Sequence, residues 1–168
     1  MIKALPKGGK IAEIGVLRGE FSEVLLAEAQ PTELVLVDLW QKQTGPYTVD
    51  YANDSDFDVC YAEVVRKFGD NPVVRIMKML SVDAAAEFED EYFDWLFLDA
   101  NHLKVAVDAD LRAWTRKVKA GGYFTGHDYA MCSPHIELKD TLDAFLAETG
   151  RELFCVTTAE WPSFAFVV

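Results

Sequence analysis

Short apolar runs recur along this chain, and a segment of helical spacing separates each from the next. Lys10 to Ile14, Leu34 to Val37, Val73 to Met77, Phe93 to Leu98 and Gly122 to Thr125 read as strands. Between them the pattern changes period. Phe21, Val24 and Leu25 give helical spacing to Gly19–Ala29. Leu103, Val107, Leu111, Trp114 and Val118 follow at steps of 4, 4, 3 and 4, one face of an amphipathic helix. Asp56 to Phe68, Ser81 to Phe88 and the stretch holding Leu138, Leu142, Phe145 and Leu146 also read as helices, with Ser81 as an N-cap. The tail breaks the alternation. Leu153–Thr157 and Phe164–Val168 lie on either side of a turn at residues 159–162, close enough only for an antiparallel hairpin. The expected fold is α/β: a doubly wound, Rossmann-like sheet of seven strands, mostly parallel, with an antiparallel last strand.

A length of 168 residues fits one domain spanning 1–168, and a 51% hydrophobic content is enough for a full core. The net charge of −12, with no basic run, argues against a nucleic-acid partner. Cys60, Cys132 and Cys155 are odd in number and form no C-x-x-C pair, so they read as reduced thiols rather than a disulfide framework. Residues 1–10 are short, basic and broken by Pro6, Gly8 and Gly9, unlike a signal peptide, and no apolar run approaches a membrane span. The cytoplasm is the expected compartment.

Glycines follow the first strand in Glu13-Ile-Gly15-Val-Leu-Arg18-Gly19-Glu20-Phe-Ser22. They allow a tight turn and close approach of a ligand to the helix start. The spacing is G-x-x-x-G rather than G-x-G-x-x-G, which disfavours a pyrophosphate cradle. Asp38 closes the second strand, where an acid can accept hydrogen bonds from both ribose hydroxyls of a nucleoside. Glu13 beside the loop suits a cationic ligand, an ammonium or a sulfonium.

Two later strand ends carry polar groups: Asp99-Ala-Asn101-His102 and Gly126-His127-Asp128-Tyr129. Ligands of open α/β sheets bind at the carboxyl ends of the strands. Side by side, these ends would bring two carboxylates and two imidazoles together, enough to hold a divalent metal and supply a general base. Residues 41–55 are polar and turn-rich, and read as a substrate loop in which Tyr47 and Tyr51, with Trp40, could stack on a ring. His135, after Pro134, reads as a surface residue.

Glu-x-Gly-x-x-x-Gly after strand one, an acid after strand two and a final antiparallel strand resemble the class I S-adenosylmethionine-dependent methyltransferases, over nearly the whole chain. The stretch FLDANHLKVAVDADLRAWTRKVKAGGYFTGHDY resembles the small-molecule O-methyltransferase group that includes macrolide-sugar methyltransferases and cephalosporin hydroxylase-like proteins. The resemblance implies that Glu13, Gly15, Gly19 and Ser22 surround the methionine part of S-adenosylmethionine. It implies that Asp38 holds the ribose, that Leu39 and Trp40 lie beside the adenosine, and that Ser81, Val82 and Asp83 meet the adenine. Asp99, catalytic and next to the cofactor, would ligate a divalent cation, Mg²⁺ or Mn²⁺, with His127 and Asp128, Mg²⁺ being the first expectation because oxygen ligands suit it. Metal-dependent relatives often carry an acid at the place of His127. An imidazole there favours Mn²⁺ or Fe²⁺, unless it points aside and Asn101 or water fills the position. His102 would be the general base.

The expected reaction is methyl transfer to a hydroxyl of a small molecule. A non-catalytic nucleoside-binding protein is the alternative, and an NAD-dependent oxidoreductase a more distant one. Because the chain starts almost at its first strand, either the acceptor site is open or a second subunit of a homodimer completes it.

Overall fold

The computed structural model describes residues 1–43, 56–129 and 137–168. Most of the 41–55 segment, with Tyr47 and Tyr51, and also Cys132 and His135 lie outside the described residues. The elements run β1 (Lys10–Ile14), α1 (Glu20–Ala29), β2 (Glu33–Asp38), α2 (Phe57–Phe68), β3 (Val74–Lys78), α3 (Ser81–Ala86), β4 (Phe93–Leu98), α4 (Lys104–Thr115), β5 (Val118–Gly126), α5 (Leu138–Thr149), β6 (Leu153–Val156) and β7 (Phe164–Val167), after a short 3₁₀ turn at Ile2–Ala4. The seven strands form one sheet in the order β3-β2-β1-β4-β5-β7-β6. The pairs from β3 to β5 are parallel, and β7 runs antiparallel to both β5 and β6. This is the expected architecture, hairpin included.

Strand alternation builds two cores. Ala12, Ile14, Val35, Val37, Leu96 and Leu98 point to the face covered by α3, α4 and α5, where Leu111, Trp114 and Leu142 are buried. Ile11, Leu34, Leu36, Trp95 and Phe97 point to the opposite face, under α1 and α2, with Leu25, Val64 and Phe68. Glu13 follows the same alternation and therefore occupies a core position on the α1–α2 face, 1% exposed.

Two boundaries differ from the sequence reading. Val118, expected to end the amphipathic helix, opens β5 instead: it pairs with Phe93, and the Phe93 amide donates to the Lys117 carbonyl at 2.8 Å. Pairing with β4 thus captures the chain directly after α4. Ser81 is not the N-cap of α3. Leu80 holds that place without a side-chain bond, because the Ser81 hydroxyl is engaged by α4: it accepts from Trp114 Nε1 at 2.7 Å and bonds to the buried Asp110. Asp56 does cap α2, accepting from the amides of Asp58 and Val59.

From β1 the chain winds outward to β2 and β3, then returns across the sheet to β4 and β5. The direction reverses between β1 and β4, which makes a crevice at their carboxyl ends.

Candidate active site

That crevice holds a cavity of about 750 Å³, within the range of small-molecule sites. Its wall includes Glu13, Gly15, Asp38, Leu39, Ser81 and Asp99, joined by Asn101 and His102. The structure therefore gathers half of the sequence-predicted residues around one space. Gly15 closes the crevice floor. Its φ is +90°, and a Cβ there would stand 2.0 Å from the Asp99 carbonyl oxygen. Only glycine lets the ends of β1 and β4 come this close.

Asp38 organises the loop above. Oδ2 accepts from the amides of Val16 and Leu17, both at 2.9 Å, and Oδ1 accepts from the Trp40 amide at 2.8 Å. A carboxylate offers about four acceptor positions, so roughly one remains for a ligand. Asp38 remains in the cavity wall, where the ribose expectation puts it. The loop amides face this carboxylate, in agreement with a glycine loop that is not a pyrophosphate cradle.

Several expected contacts lie away from the cavity wall. Trp40 is 1% exposed and its indole Nε1 donates to the Leu17 carbonyl at 2.7 Å. It props the loop from beneath rather than facing a nucleoside. Gly19 has φ +70° and caps α1, and a Cβ there would meet Phe68 Cε2 at 2.6 Å. Its freedom serves the packing of α2. Ser22 is fully buried behind Glu13 and donates to its Oε2 at 2.5 Å. Val82 and Asp83 are exposed on α3. The wall there is formed by Met79 and Leu80, with Ser81. Apolar residues beside a strand end gave no sequence signal for that role.

Burial pushes the Glu13 carboxyl up to about 8, opposed by the Ser22 bond and reinforced by the nearby Asp99 and Asp38 charges. Desolvation disfavours the charged form, so the cavity offers Glu13 as a carboxyl that a cationic ligand would ionise.

At the end of the cavity wall stand Asp99 and His102, and beyond them Asp128. One donor atom from each lies within 4.8 Å of the others. His102 Nε2 is 3.5 Å from Asp99 Oδ1 and 3.3 Å from Asp128 Oδ2. This Nε2 is fully buried and makes no hydrogen bond among the described residues, an orphaned donor or acceptor between two carboxylates. His127 flanks this group: Nδ1 is 3.0 Å from Asp128 Oδ1 and 3.9 Å from Asp99 Oδ2. The three-donor cluster among the described residues contains Asp99, His102 and Asp128, with the expected His127 beside it. Spacing could not choose between the imidazoles, because both follow strand ends. Burial raises the Asp128 carboxyl above its ordinary range, against the pull of His102.

The fold and this crevice define a class I methyltransferase architecture. Residues 12–129 match the family model described as a methyltransferase domain, and the chain belongs to that family. A protein from Staphylococcus aureus assigned as a caffeoyl-CoA O-methyltransferase superposes with TM-score 0.67 at 12% identity, covering 95% of this chain and 77% of that one. A SAM-dependent methyltransferase from Aquifex aeolicus gives 0.65 at 14% identity, over 99% and 86% of the two chains. The 1,6-didemethyltoxoflavin-N1-methyltransferase of Burkholderia thailandensis, bound to its substrate and S-adenosylhomocysteine, gives 0.64 at 12% identity, over 96% and 71%. Identities this low establish a shared fold, and the range of reactions named argues against reading the acceptor from it. No curated protein sequence matches the chain.

Proposed function

We propose that this methyltransferase-family protein transfers a methyl group from S-adenosylmethionine to a hydroxyl of a small molecule. The observation that carries this reading is the orphaned, buried His102 Nε2 between the carboxylates of Asp99 and Asp128, at the end of a cavity walled by Glu13, Asp38 and Asp99. The three acids suit a ligand with sulfonium and ammonium charges, and the cavity volume suits a nucleoside. Glu13 and Asp99 would lie along the charged part. Asp38 would accept one ribose hydroxyl through Oδ1. S-adenosylmethionine supplies the activated methyl group, so the protein's part is chiefly orientation.

The donor set also fits a divalent cation, which Asp99, Asp128 and His102 Nε2 would hold. Its Lewis acidity would ease loss of the acceptor proton. One nitrogen among oxygen donors favours Mn²⁺ or Fe²⁺ over Mg²⁺. The same geometry supports a second reading. Without a cation, His102 Nε2 beside two carboxylates is itself the proton acceptor, as the sequence suggested. One nitrogen cannot fill both roles at once. A hydroxylated small-molecule acceptor remains the partner proposed, and a homodimer completing its site a further proposal.

Calorimetric titration of S-adenosylmethionine, in EDTA and then with Mn²⁺ or Mg²⁺ plus a panel of sugars and catechols, tests this. Saturable cofactor binding with cation-dependent acceptor binding supports the first reading. Cofactor and acceptor binding untouched by EDTA supports the second. Absence of cofactor binding in every condition would sink both.

A further inference from the structure

We infer that Glu137, at the start of α5, is a positioning residue for His102. This rests on the reading of Asp99, His102 and Asp128 as the working group. The Glu137 amide donates to the His102 carbonyl at 2.9 Å. Its carboxylate Oε2 accepts from the Lys104 amide at 2.8 Å. These two bonds straddle Leu103, so one residue grips the backbone on either side of the His102–Lys104 step.

The sequence of α4 leaves room for this grip. Its N-cap is Leu103, which offers no side-chain acceptor. The first amides of a helix need partners from outside it. Asn101 Oδ1 accepts from the Leu103 amide at 2.9 Å, and Glu137 serves the next one. The carboxylate also sits at the positive end of the α4 dipole. His102 is thereby held between a turn made by its predecessor and a cap supplied by a distant helix.

Glu137 is itself anchored. Its carbonyl accepts from the Thr141 amide at 3.1 Å and from the Thr141 hydroxyl at 2.7 Å, and Leu138 and Leu142 bury α5 against the core. Six residues beyond Glu137, Asp143 Oδ1 accepts from the Tyr129 hydroxyl at 2.8 Å, and Tyr129 directly follows Asp128. One helix therefore holds the chain beside both site segments. No hydrogen bond joins His102 Nε2 to Asp128, so their 3.3 Å separation rests on the backbone: the β4–β5 ladder, which ends at Leu98–Gly126 and the His127 amide to the Leu98 carbonyl at 3.1 Å, and the α5 contacts beyond it.

The test compares wild type, Glu137→Ala, Glu137→Gln and Lys104→Pro in the full chain. The proline removes the amide that Glu137 receives, at the first helical position, where proline is accepted. The His102 ring signal in metal-free protein is followed by NMR, assigned from the spectrum of His102→Gln. Mn²⁺ affinity is measured alongside. The expected result is a displaced His102 signal in Glu137→Ala and in Lys104→Pro, with Mn²⁺ bound about tenfold more weakly in both. Glu137→Gln, which keeps an acceptor oxygen, should return both readouts close to wild type, and S-adenosylmethionine affinity should stay within about twofold, since the cofactor end of the cavity is untouched. A plain structural cap would lower the melting temperature and leave the His102 signal in place. That result, or a displacement in Glu137→Ala without one in Lys104→Pro, overturns the inference. If wild type binds no Mn²⁺, the cation reading falls alone, and the His102 signal still decides the role of Glu137.

Discussion

Glu13 concentrates the residue-scale physics of this protein. A carboxyl on the buried face of a central strand has one hydrogen-bond partner, Ser22, and two acidic neighbours, and burial holds it at about 8. Below pH ~4.5 it is protonated in folded and unfolded chains alike. Between ~4.5 and ~8 the folded state holds a proton that the unfolded state has lost. The contribution of Glu13 to stability is therefore complete at low pH and declines as pH rises to about 8, by up to ~1.4 kcal/mol per pH unit. Glu13→Gln should flatten the fall in melting temperature between pH 5 and pH 8; an unchanged slope would assign the effect to other groups. On the proposed function, a sulfonium entering beside Glu13 ionises it. Cofactor binding at pH 7 should then release a proton, seen as a dependence of the calorimetric heat on the ionisation enthalpy of the buffer.

At the scale of elements, side chains from one helix complete another. Ser81 of α3 accepts from Trp114 of α4 and bonds to Asp110, whose carboxyl burial pushes up to about 6. Ser81→Ala would leave an indole N–H and a buried carboxyl unpartnered, at a cost of about 1–3 kcal/mol. The melting temperature should fall by several degrees. Cofactor affinity should change little if the hydroxyl is occupied by α4 as the structure has it. A tenfold affinity loss with unchanged stability would make the Ser81 hydroxyl a direct contact of the adenine, as expected from the sequence. The same scale explains the misplaced boundaries. The helical spacing that includes Val118 is real, but a β4 edge that pairs with it is a stronger claim on that residue than a further turn of α4. A capping residue likewise cannot be recognised when a distant tryptophan already holds its hydroxyl.

The whole molecule is organised by the reversal between β1 and β4, and a single missing Cβ permits the closeness of those strand ends. Gly15→Ala adds a methyl carbon 2.0 Å from the Asp99 carbonyl oxygen, in a backbone conformation of φ +90° that alanine disfavours. The contact pushes the Asp99 backbone away from the end of β1, and the φ strains the loop itself. We expect loss of cofactor binding, together with destabilisation by more than about 2 kcal/mol. A variant that folds and binds normally would mean that the strand ends can move apart without cost to the site. No helix among the described residues is long and apolar enough to cross a membrane.

Sequence alone determined the alternating architecture, the hairpin at the end and the strand ends where chemistry gathers. Periodicity and turn residues are local signals, and β1, β2, β4 and the Gly15 loop write them plainly. Asp38, Asp99 and Asp128 were visible as strand-end acids for the same reason. Tertiary structure decided what those acids do. It turned most of the Asp38 carboxylate toward Val16, Leu17 and Trp40, took Trp40 into the core, and set both His102 and His127 beside Asp99 and Asp128. It also recruited Glu137, which no motif marks. These outcomes depend on which groups come within hydrogen-bonding reach after packing, and such distances between residues far apart in the chain are fixed only when the two faces of the sheet are covered.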